Sequence, residues 1–237
     1  MNLTILGKYG PFSINGLSTS GYLLDNDGSC VLLDVGSGTV SKMLSKIDIN
    51  NLKFVYLSHL HFDHISDIGV LSYAVAFLKA DKKLKVYFYD DNSDNAKLIK
   101  NIKEFECVNI TEDKTYFDSG FTFSFYKMTH PVISHGIKIS NGKRTLAYTG
   151  DTTLNCNLEN LLRGSDFLLA DGAFTENDYM EGKPHMSVKQ VNELSNKYKV
   201  KTLVTHVGFK YTDEEVEKEL SDNNLIEVAK QDKTYKI

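Results

Sequence analysis

A dense group of candidate metal ligands lies in the stretch LSHLHFDHISDIG, residues 57–69. It places His59, His61, Asp63 and His64 within six positions, directly after an apolar run. His59 and His61, two residues apart, would share one side of an extended chain, whereas the next two side chains would turn elsewhere. One short segment could therefore serve two adjacent ions.

Further candidate ligands end three other strand-like runs. His130, Asp151 and His206 close FYKMTH, LAYTGD and LVTH, and side chains at the ends of neighbouring strands can converge at one edge of a sheet. Two ions need about six or seven protein ligands. The candidates are His59, His61, Asp63, His64, His130, Asp151 and His206. Imidazole and carboxylate suit Zn²⁺, with Mn²⁺ or Fe²⁺ as alternatives. An aspartate before threonine, as at Asp151, is also typical of a turn or a helix N-cap.

Short β-type runs and amphipathic helices alternate along the chain and would position these ligands. The predicted strands are LTIL, GYLLD, CVLLDV, KFVYLSHL, LKVYFYD, FTFSFYKM, GIKIS, RTLAYTGD, SDFLLAD and KTLVTHV. Asn141-Gly142 predicts a hairpin between GIKIS and RTLAYTGD. The predicted helices cover 39–47, 65–80, 187–198 and 213–220. Asp67 would lie in the first turn of the second helix. Strands in runs, broken by helices, indicate a layered protein.

The composition is that of a globular protein. With 237 residues, 41% hydrophobic and 24% charged, we expect one domain over 1–237. The net charge of −4 gives no general attraction to nucleic acid or anionic membrane. Three scattered cysteines argue against a thiolate zinc site and suit a reducing compartment. No apolar stretch approaches the roughly 20 residues of a membrane span. We therefore expect a cytoplasmic protein with no membrane partner.

The motif SHLHFDH resembles the HxHxDH signature of the metallo-β-lactamase-fold hydrolases. Further blocks follow that family's order: LLDVGSG (32–38), THP (129–131), YTGDT (148–152) and LVTH (203–206). The resemblance covers nearly the whole chain and implies a fold of the α/β class, a four-layer αββα sandwich. It also implies a site for two metal ions at one edge of the two sheets.

The same resemblance implies how the candidate ligands divide. One ion would be held by His59, His61 and His130. The other would be held by Asp63, His64 and His206, with Asp151 bridging both ions. Asp34, in LLDVGSG, would orient a ligand imidazole. A strand-end aspartate that caps the next helix is an equally open interpretation of Asp34.

Within this superfamily the chain is similar to the ribonuclease Z-like and phosphodiesterase-like branch. The segments THPVISHGIKI, GDT and KPHMSVKQVNEL carry this likeness. It implies that His185 contacts a phosphate oxygen or protonates the leaving group. The branch commonly pairs this histidine with a glutamate; Asp171 occupies that place, which leaves a His185–Asp171 relay open. His135, where relatives carry an aromatic or small residue, is predicted to line the substrate pocket.

Hydrolysis of a phosphodiester would use all of these groups. Two metal ions lower the pKa of a bridging water, so that hydroxide is available at neutral pH. Asp63, Asp171 and His185 are the predicted catalytic residues. The tRNA-maturing relatives insert a long arm between the ligand histidine and the bridging aspartate, whereas only residues 131–150 separate His130 from Asp151 here. We therefore predict a phosphodiesterase for a small phosphodiester or nucleotide.

Other functions remain open from the sequence. A ribonuclease Z-like endonuclease would act on RNA, and a lactonase or β-lactamase-type hydrolase would act on a carbonyl without needing His185. The redox branch of the fold carries an acidic residue in place of a histidine in HxHxDH, so the intact HLHFDH argues against it. A binding module would have lost ligands, and none is lost. A homodimer also remains open.

Overall fold

Two seven-stranded sheets, packed face to face, form the centre of the computed structural model, which describes residues 1–220 and 223–237. Strands are numbered in chain order. The first sheet contains, in spatial order, β16 (Thr234–Lys236), β1 (Asn2–Gly7), β3 (Gly21–Asn26), β4 (Ser29–Leu33), β5 (Leu52–Tyr56), β6 (Leu84–Phe88) and β7 (Phe105–Asn109). The second contains β15 (Ile226–Val228), β13 (Lys201–Thr205), β12 (Phe167–Asp171), β11 (Thr145–Tyr148), β10 (Ser134–Ser140), β9 (Phe121–Met128) and β8 (Tyr116–Asp118). A short ladder pairs β2 (Tyr9–Gly10) with β14 (Val207–Gly208).

Helices cover the outer face of each sheet. Those on the first sheet are α1 (Thr39–Leu44), α3 (Ile68–Leu78) and α4 (Asp94–Lys100), and the single turn α2 (Phe62–Ile65) precedes α3. Those on the second sheet are α5 (Asn157–Leu162), α6 (Val188–Tyr198) and α7 (Asp213–Lys218). A 3₁₀ turn covers Ile49–Asn51. This arrangement confirms the predicted αββα sandwich.

Aromatic side chains fill the space between the sheets. On β9, Phe121, Phe123 and Phe125 alternate inward with period two, and each is about 1% exposed. Phe123 stacks on Phe54 at 5.0 Å between ring centroids, and Phe125 stacks on Tyr56 at 5.1 Å. Burial of each such ring contributes roughly 1.5–3 kcal/mol. The ligand-bearing loops therefore start from a closely packed base.

Parallel strands in both sheets end at the edge where the candidate ligands lie. β4, β5 and β6 run parallel in the first sheet, as do β11, β12 and β13 in the second. Since the carboxyl ends of parallel strands meet at one edge, the segments that follow them converge there. Asp34, His59, Asp151 and His206 each lie within three residues of such a strand end.

All the predicted strands and helices are observed, several with shorter bounds, and the structure adds elements that were not predicted, among them α4, α5 and β7. The predicted strand KFVYLSHL ends at Tyr56 because the Ser58 N–H is bound by the Asp34 carboxylate rather than by a neighbouring strand. The helix predicted over 65–80 begins later, as α3, because a break at Ser66 and Asp67 separates it from α2, which ends at Ile65. Asp67, at the break, accepts a hydrogen bond from the N–H of Val40 and so ties α1 to the start of α3.

The predicted hairpin between β10 and β11 is confirmed. Asn141 Oδ1 accepts hydrogen bonds from the N–H groups of Lys143 and Arg144, and Gly142 has φ 82°. That turn keeps the connection between β10 and β11 short.

Among the described residues, no helix is long and apolar enough to cross a membrane.

Candidate metal centre

The seven predicted ligands meet at this edge in two groups that share Asp151. We call the first group the outer cluster; it consists of His59, His61, His130 and Asp151. We call the second group the inner cluster; it consists of Asp63, His64, His206 and Asp151. Within each group the ligand atoms lie within 4.8 Å of one another. These are the two groups that the resemblance implies.

In the outer cluster, imidazole nitrogens face one another at short range. His61 Nδ1 lies 3.1 Å from His59 Nε2 and 3.2 Å from His130 Nε2. Asp151 Oδ2 lies 3.6 Å from His59 Nε2 and 3.9 Å from His130 Nε2. Ligands of one tetrahedral Zn²⁺ are about 3.3 Å apart, given metal–nitrogen bonds of about 2.0–2.1 Å. The outer spacings therefore fit a metal ion.

The inner cluster is fully buried and has similar spacings. Asp151 Oδ2 lies 3.2 Å from both His64 Nε2 and His206 Nε2. Asp63 Oδ2 lies 3.1 Å from His206 Nε2 and 3.6 Å from His64 Nε2. Among the described residues, His64 Nε2 and Asp151 Oδ1 have no hydrogen-bond partner, which is costly for buried polar atoms. These orphaned atoms and the donor set fit a divalent cation.

Asp34 holds His64 from the side opposite the cluster. Asp34 Oδ2 accepts hydrogen bonds from His64 Nδ1 at 2.7 Å, from the Tyr148 hydroxyl at 2.5 Å and from the Ser58 hydroxyl at 2.8 Å. Asp34 is fully buried and has φ 58°, a region that non-glycine residues rarely adopt. These bonds fix the His64 tautomer so that Nε2 faces the inner cluster.

The backbone of the segment 8–10 holds His206 in two ways, through a hydrogen bond next to it and through a contact with its ring. His206 lies between β13 and β14 with φ 53°, and the next N–H, of Val207, donates to the Lys8 carbonyl at 2.9 Å. Gly10 packs directly on the imidazole. A Cβ at position 10 would lie 2.2 Å from His206 Cε1 and 2.4 Å from Nε2, so no side chain fits there while His206 keeps its place.

His185 and Asp171 lie together beside the two clusters. Asp171 Oδ2 accepts hydrogen bonds from His185 Nδ1 at 2.8 Å and from the Thr152 N–H at 2.9 Å. The His185 ring stacks on His206 at 4.8 Å, and its Nδ1 lies 3.9 Å from Asp151 Oδ2. Burial opposes protonation, but the Asp171 carboxylate raises the pKa of His185 to about 9. With Nδ1 held by Asp171, Nε2 is left for a substrate.

The three outer histidines favour the neutral form, whereas His64, although burial opposes its protonation, has a pKa that Asp151 and Asp34 raise well above its ordinary value. Burial lowers the pKa of His59 well below its ordinary value, and it lowers the pKa of His61 and His130 as well. Neutral imidazole is the form that binds metal. Although burial opposes ionisation of Asp151, His206 and the other cluster imidazoles hold the pKa of this carboxyl well below its usual range. The shared ligand is therefore an anion.

His135 is buried between the sheets, and its predicted role in lining the substrate pocket stays a prediction. Its side chain is about 1% exposed, its ring stacks on Tyr89 at 5.1 Å, and its Nε2 lies 3.4 Å from Glu112 Oε1. It faces the inter-sheet space, as Ile137 does two residues later. A cavity of about 720 Å³ lies instead beside His130, and His135 does not line it. The position of His135 therefore gives its predicted pocket role no support.

Sequence reasoning missed several residues that hold the ligands. The hydroxyls of Ser58 and Tyr148 both donate to Asp34. Because Ser58 lies inside SHLHFDH and Tyr148 inside YTGDT, their positions within these motifs could have marked them. The Pro184 carbonyl accepts a hydrogen bond from His130 Nδ1 at 3.0 Å, and Thr152 supports Asp171. Nothing in the sequence marked Gly10, whose role depends on a contact with a residue almost two hundred positions away.

Known proteins resemble this chain over most of its length. The probable metallo-hydrolase YhfI of Bacillus subtilis is 28% identical over 212 residues, which cover 87% of each protein. The crystal structure of YhfI matches with a TM-score of 0.91 and 25% identity over 99% of both chains. Ribonuclease Z of Sulfolobus acidocaldarius is 24% identical over 241 residues, covering 81% of this chain and 82% of that protein. Human tRNase Z, short form, has the same fold, with a TM-score of 0.79 and 16% identity over 100% of this chain and 99% of that one.

These matches confirm the resemblance that the HxHxDH motif indicated. The protein is a metallo-hydrolase of the metallo-β-lactamase fold, with histidine and aspartate clusters able to hold metal ions. A family model described as Anti-Pycsar protein Apyc1 matches residues 1–235. Since that match spans nearly the whole sequence, the chain belongs to the family described as Anti-Pycsar protein Apyc1.

Proposed function

We propose that this protein is a phosphodiesterase that uses two metal ions to hydrolyse a small phosphodiester, such as a cyclic nucleotide. The observation that carries the proposal is the His185–Asp171 pair, 2.8 Å apart, beside the shared ligand Asp151. A lactonase or β-lactamase needs the ions but not this pair. A phosphodiester presents an anionic phosphate and an alkoxide leaving group, and a protonated imidazole serves both.

The two clusters would hold two divalent ions, with Zn²⁺ the first candidate and Mn²⁺ or Fe²⁺ the alternatives. His59, His61 and His130 would bind one ion; Asp63, His64 and His206 would bind the other; and Asp151 would contact both. When bound, the ions would supply a water of lowered pKa and withdraw charge from the phosphoryl oxygens.

The protein's own part in the reaction is to orient the substrate and supply a proton. His185 Nε2 would donate to a phosphate oxygen or to the departing alkoxide, while Asp171 holds the Nδ1 proton and favours the charged ring. Proton donation of this kind contributes about 10²–10⁴ in rate. Asp63 would act through its place in the inner cluster.

The connection between His130 and Asp151 supports a small substrate. Residues 131–150 form little more than β10, its hairpin and β11, which leaves no room for an RNA-gripping arm in this segment. The net charge of −4 also gives no general attraction to a polyanion. Ribonuclease Z relatives support phosphodiester chemistry as the class.

A panel of substrates with contrasting leaving groups tests the proposal. Zn²⁺-loaded wild type and His185→Ala would be assayed on a nucleoside 3′,5′-cyclic monophosphate, bis(p-nitrophenyl) phosphate, a lactone, a β-lactam and a precursor tRNA. We expect His185→Ala to lose about 10²–10⁴ in kcat on the cyclic nucleotide, whose alkoxide needs a proton. It should lose much less on the p-nitrophenyl ester, whose leaving group departs unprotonated, and its metal content should be unchanged.

Three outcomes would contradict the proposal. Hydrolysis of the lactone or β-lactam without any phosphodiester would assign the site to carbonyl chemistry. Efficient 3′ processing of the precursor tRNA would assign it to RNA. No loss on either phosphodiester in His185→Ala would remove the role of His185 on which the proposal depends, whereas equal losses on both would assign His185 to the phosphate oxygen rather than to the leaving group.

A further inference from the structure

Lys8, between β1 and β2, is a buried charged residue that belongs to neither cluster. Its side chain is about 2% exposed, and its ammonium group pairs with the carboxylate of Asp213, whose side chain is 29% exposed. Burial lowers the pKa of Lys8, and the Asp213 carboxylate opposes that shift. A buried ion pair contributes little net stability compared with apolar side chains of similar volume. Stability alone therefore does not account for a lysine at this position.

Lys8 contacts both ends of the segment 207–213, which follows His206. At the first end, the Val207 N–H donates a hydrogen bond to the Lys8 carbonyl at 2.9 Å. At the other end, Asp213 is the first residue of α7 and accepts from the Lys8 ammonium. Between these contacts, the parallel ladder of β2 and β14 keeps the segment beside β2. One residue thus fixes the beginning and the end of the chain between His206 and α7.

The start of α7 fixes the position of Asp213. The Thr212 hydroxyl accepts a hydrogen bond from the Glu215 N–H at 3.2 Å, and the Glu215 carboxylate accepts one from the Thr212 N–H at 2.8 Å. This capping box determines where the helix begins. Val216, on the same helix, is fully buried against the second sheet. The carboxylate that pairs with Lys8 is therefore anchored through α7 to the body of the protein.

The backbone conformation of His206 explains why the segment after it must be held. Its φ of 53° lies in the left-handed region that non-glycine residues rarely adopt, and such conformations persist only where surrounding contacts hold them. His206 Nε2 lies 3.1 Å from Asp63 Oδ2 and 3.2 Å from Asp151 Oδ2. If the segment 207–213 moved away from Lys8, the strained residue would be free to relax and the imidazole would leave both carboxylates.

We propose that Lys8 is a positioning residue of the candidate metal centre, whose ion pair with Asp213 holds the segment after His206 and thereby keeps the imidazole directed at the inner cluster. The inference rests on the proposed occupation of this cluster by a metal ion and does not depend on the substrate. The outer cluster contains no residue of this segment and does not include His206. Loss of the ion pair should therefore weaken the binding of the inner ion and spare the outer one.

The affinity for Zn²⁺, measured by competition with a chromophoric chelator, tests the inference. His61→Ala removes a ligand of the outer cluster only, so that the remaining site reports the inner ion, and Asp63→Ala does the reverse. Groups that support a metal ligand contribute about 10–100-fold to metal affinity. Because Lys8 acts through the backbone, we expect the lower end: Lys8→Met should raise the Zn²⁺ dissociation constant about tenfold in the His61→Ala background and less than about twofold in the Asp63→Ala background. Lys85→Met, the same change at an ion pair with Asp118 (2.8 Å) near the start of β6, is the matched control and should change neither affinity.

A double variant separates positioning from stability. Lys8→Met combined with Asp213→Asn removes both charges, so that no buried charge is left without a partner, and it should fold even if one of the single variants does not. It still lacks the ion pair, and we expect the same loss of about tenfold, confined to the inner ion. Thermal unfolding of the metal-free variants measures their stability independently of metal binding.

The possible failures are distinguishable. An unchanged affinity for the inner ion in a folded variant would overturn the inference. Equal losses at both clusters would assign the ion pair to the stability of the whole protein and would overturn it as well. Wild type that binds no Zn²⁺ would contradict both the inference and the proposed function. Wild type that binds two Zn²⁺ ions and hydrolyses no phosphodiester would contradict the proposed function alone, because a loss confined to the inner ion would still support the role of Lys8.

Discussion

The two halves of the candidate metal centre differ in how they are held. All four residues of the inner cluster are buried, with His64 fixed by Asp34 and His206 confined by Gly10. In the outer cluster, His61 is half-buried, whereas the side chain of His130 is about 2% exposed. The Nδ1 atom of His130 is held by a loop carbonyl, that of Pro184. The inner half thus depends on the sheets, and the outer half depends on loops.

A hydrolytic centre must both bind its metal ions tightly and admit its substrate, and the two clusters differ in which of these their surroundings favour. Ligands held by buried hydrogen bonds keep their geometry before metal arrives, which favours tight binding. Ligands near solvent leave space in which a substrate can approach. We therefore expect the inner ion to be bound more tightly than the outer one, and the following predictions test that contrast, from the largest effect on metal to the smallest.

Asp151→Ala should weaken the binding of both ions rather than of one, because Asp151 belongs to both clusters. We expect loss of both ions and a fall in phosphodiesterase rate of at least about 10³, since the bound ions stabilise the transition state by several kcal/mol. Metal analysis by mass spectrometry and rate measurement check this. Retention of both ions in a folded variant would show that Asp151 is no bridging ligand.

Asp34→Asn should weaken the inner cluster selectively. The amide cannot accept all the hydrogen bonds that Asp34 receives from His64, Ser58 and Tyr148, and loss of such support costs about 10–100-fold in metal affinity. Competition with a chelator measures the affinity for each ion. Asp113→Asn, the same change at an exposed turn, is the control. Equal weakening of both ions would contradict the contrast.

Gly10→Ala should displace His206 and lower affinity for the inner ion by about tenfold, with a cost to folding of about 1–3 kcal/mol. The reason is that its Cβ would lie 2.2 Å from the imidazole. Thermal unfolding with and without Zn²⁺ checks both effects. Gly69→Ala is the matched change, because a Cβ there meets nothing within 4 Å and helical alanine is favoured by about 0.5–1 kcal/mol. A stabilised Gly10→Ala protein would contradict the packing argument.

Asp171→Asn should leave both ions in place and change only the proton on His185. In metal-free protein we expect His185 to titrate near pH 9, and the variant to titrate at lower pH, because burial then opposes protonation without the Asp171 charge and hydrogen bond, and only Asp151 still raises the pKa. The stabilisation from this pair is complete below about pH 6.5 and is lost as pH rises through about 9. The imidazole proton signals of His185 in NMR measure the titration midpoint of each protein. Identical midpoints in wild type and Asp171→Asn would show that Asp171 does not stabilise the charged form of His185.

Much of the fold could be predicted because strands and ligands coincide in the sequence. FTFSFYKM alternates with period two and forms β9 over the same residues, and Ser187 caps α6 where the predicted helix begins. The helix predicted over 65–80 is observed over Ile68–Leu78, and its start is three residues later than predicted. At that start the Asp67 N–H donates to the Val35 carbonyl at 3.0 Å instead of to a carbonyl one helical turn earlier, a tertiary contact that the local pattern does not contain.

The site was predictable in its ligand types and less so in its supports. The seven candidate ligands followed from the HxHxDH motif and three strand ends, because metal chemistry restricts residue types sharply, and the structure brings all seven together. His135 carried the same side chain as the ligands, yet its ring lies between the sheets against Tyr89. His135 points between the sheets because it lies on the same face of β10 as Ile137, which packs in the core. Side-chain type alone could not distinguish the two environments.

The order of the ligands along the chain has a consequence for biosynthesis. The outer cluster is complete once Asp151 has been made, whereas the inner cluster also needs His206, which follows β13. A chain emerging from the ribosome N-terminus first can therefore close the inner cluster only after β13 has been made and has paired with β12. Binding of metal at the inner cluster would thus mark a chain in which β13 has joined the second sheet, and a nascent fragment that stops before His206 lacks one residue of this cluster.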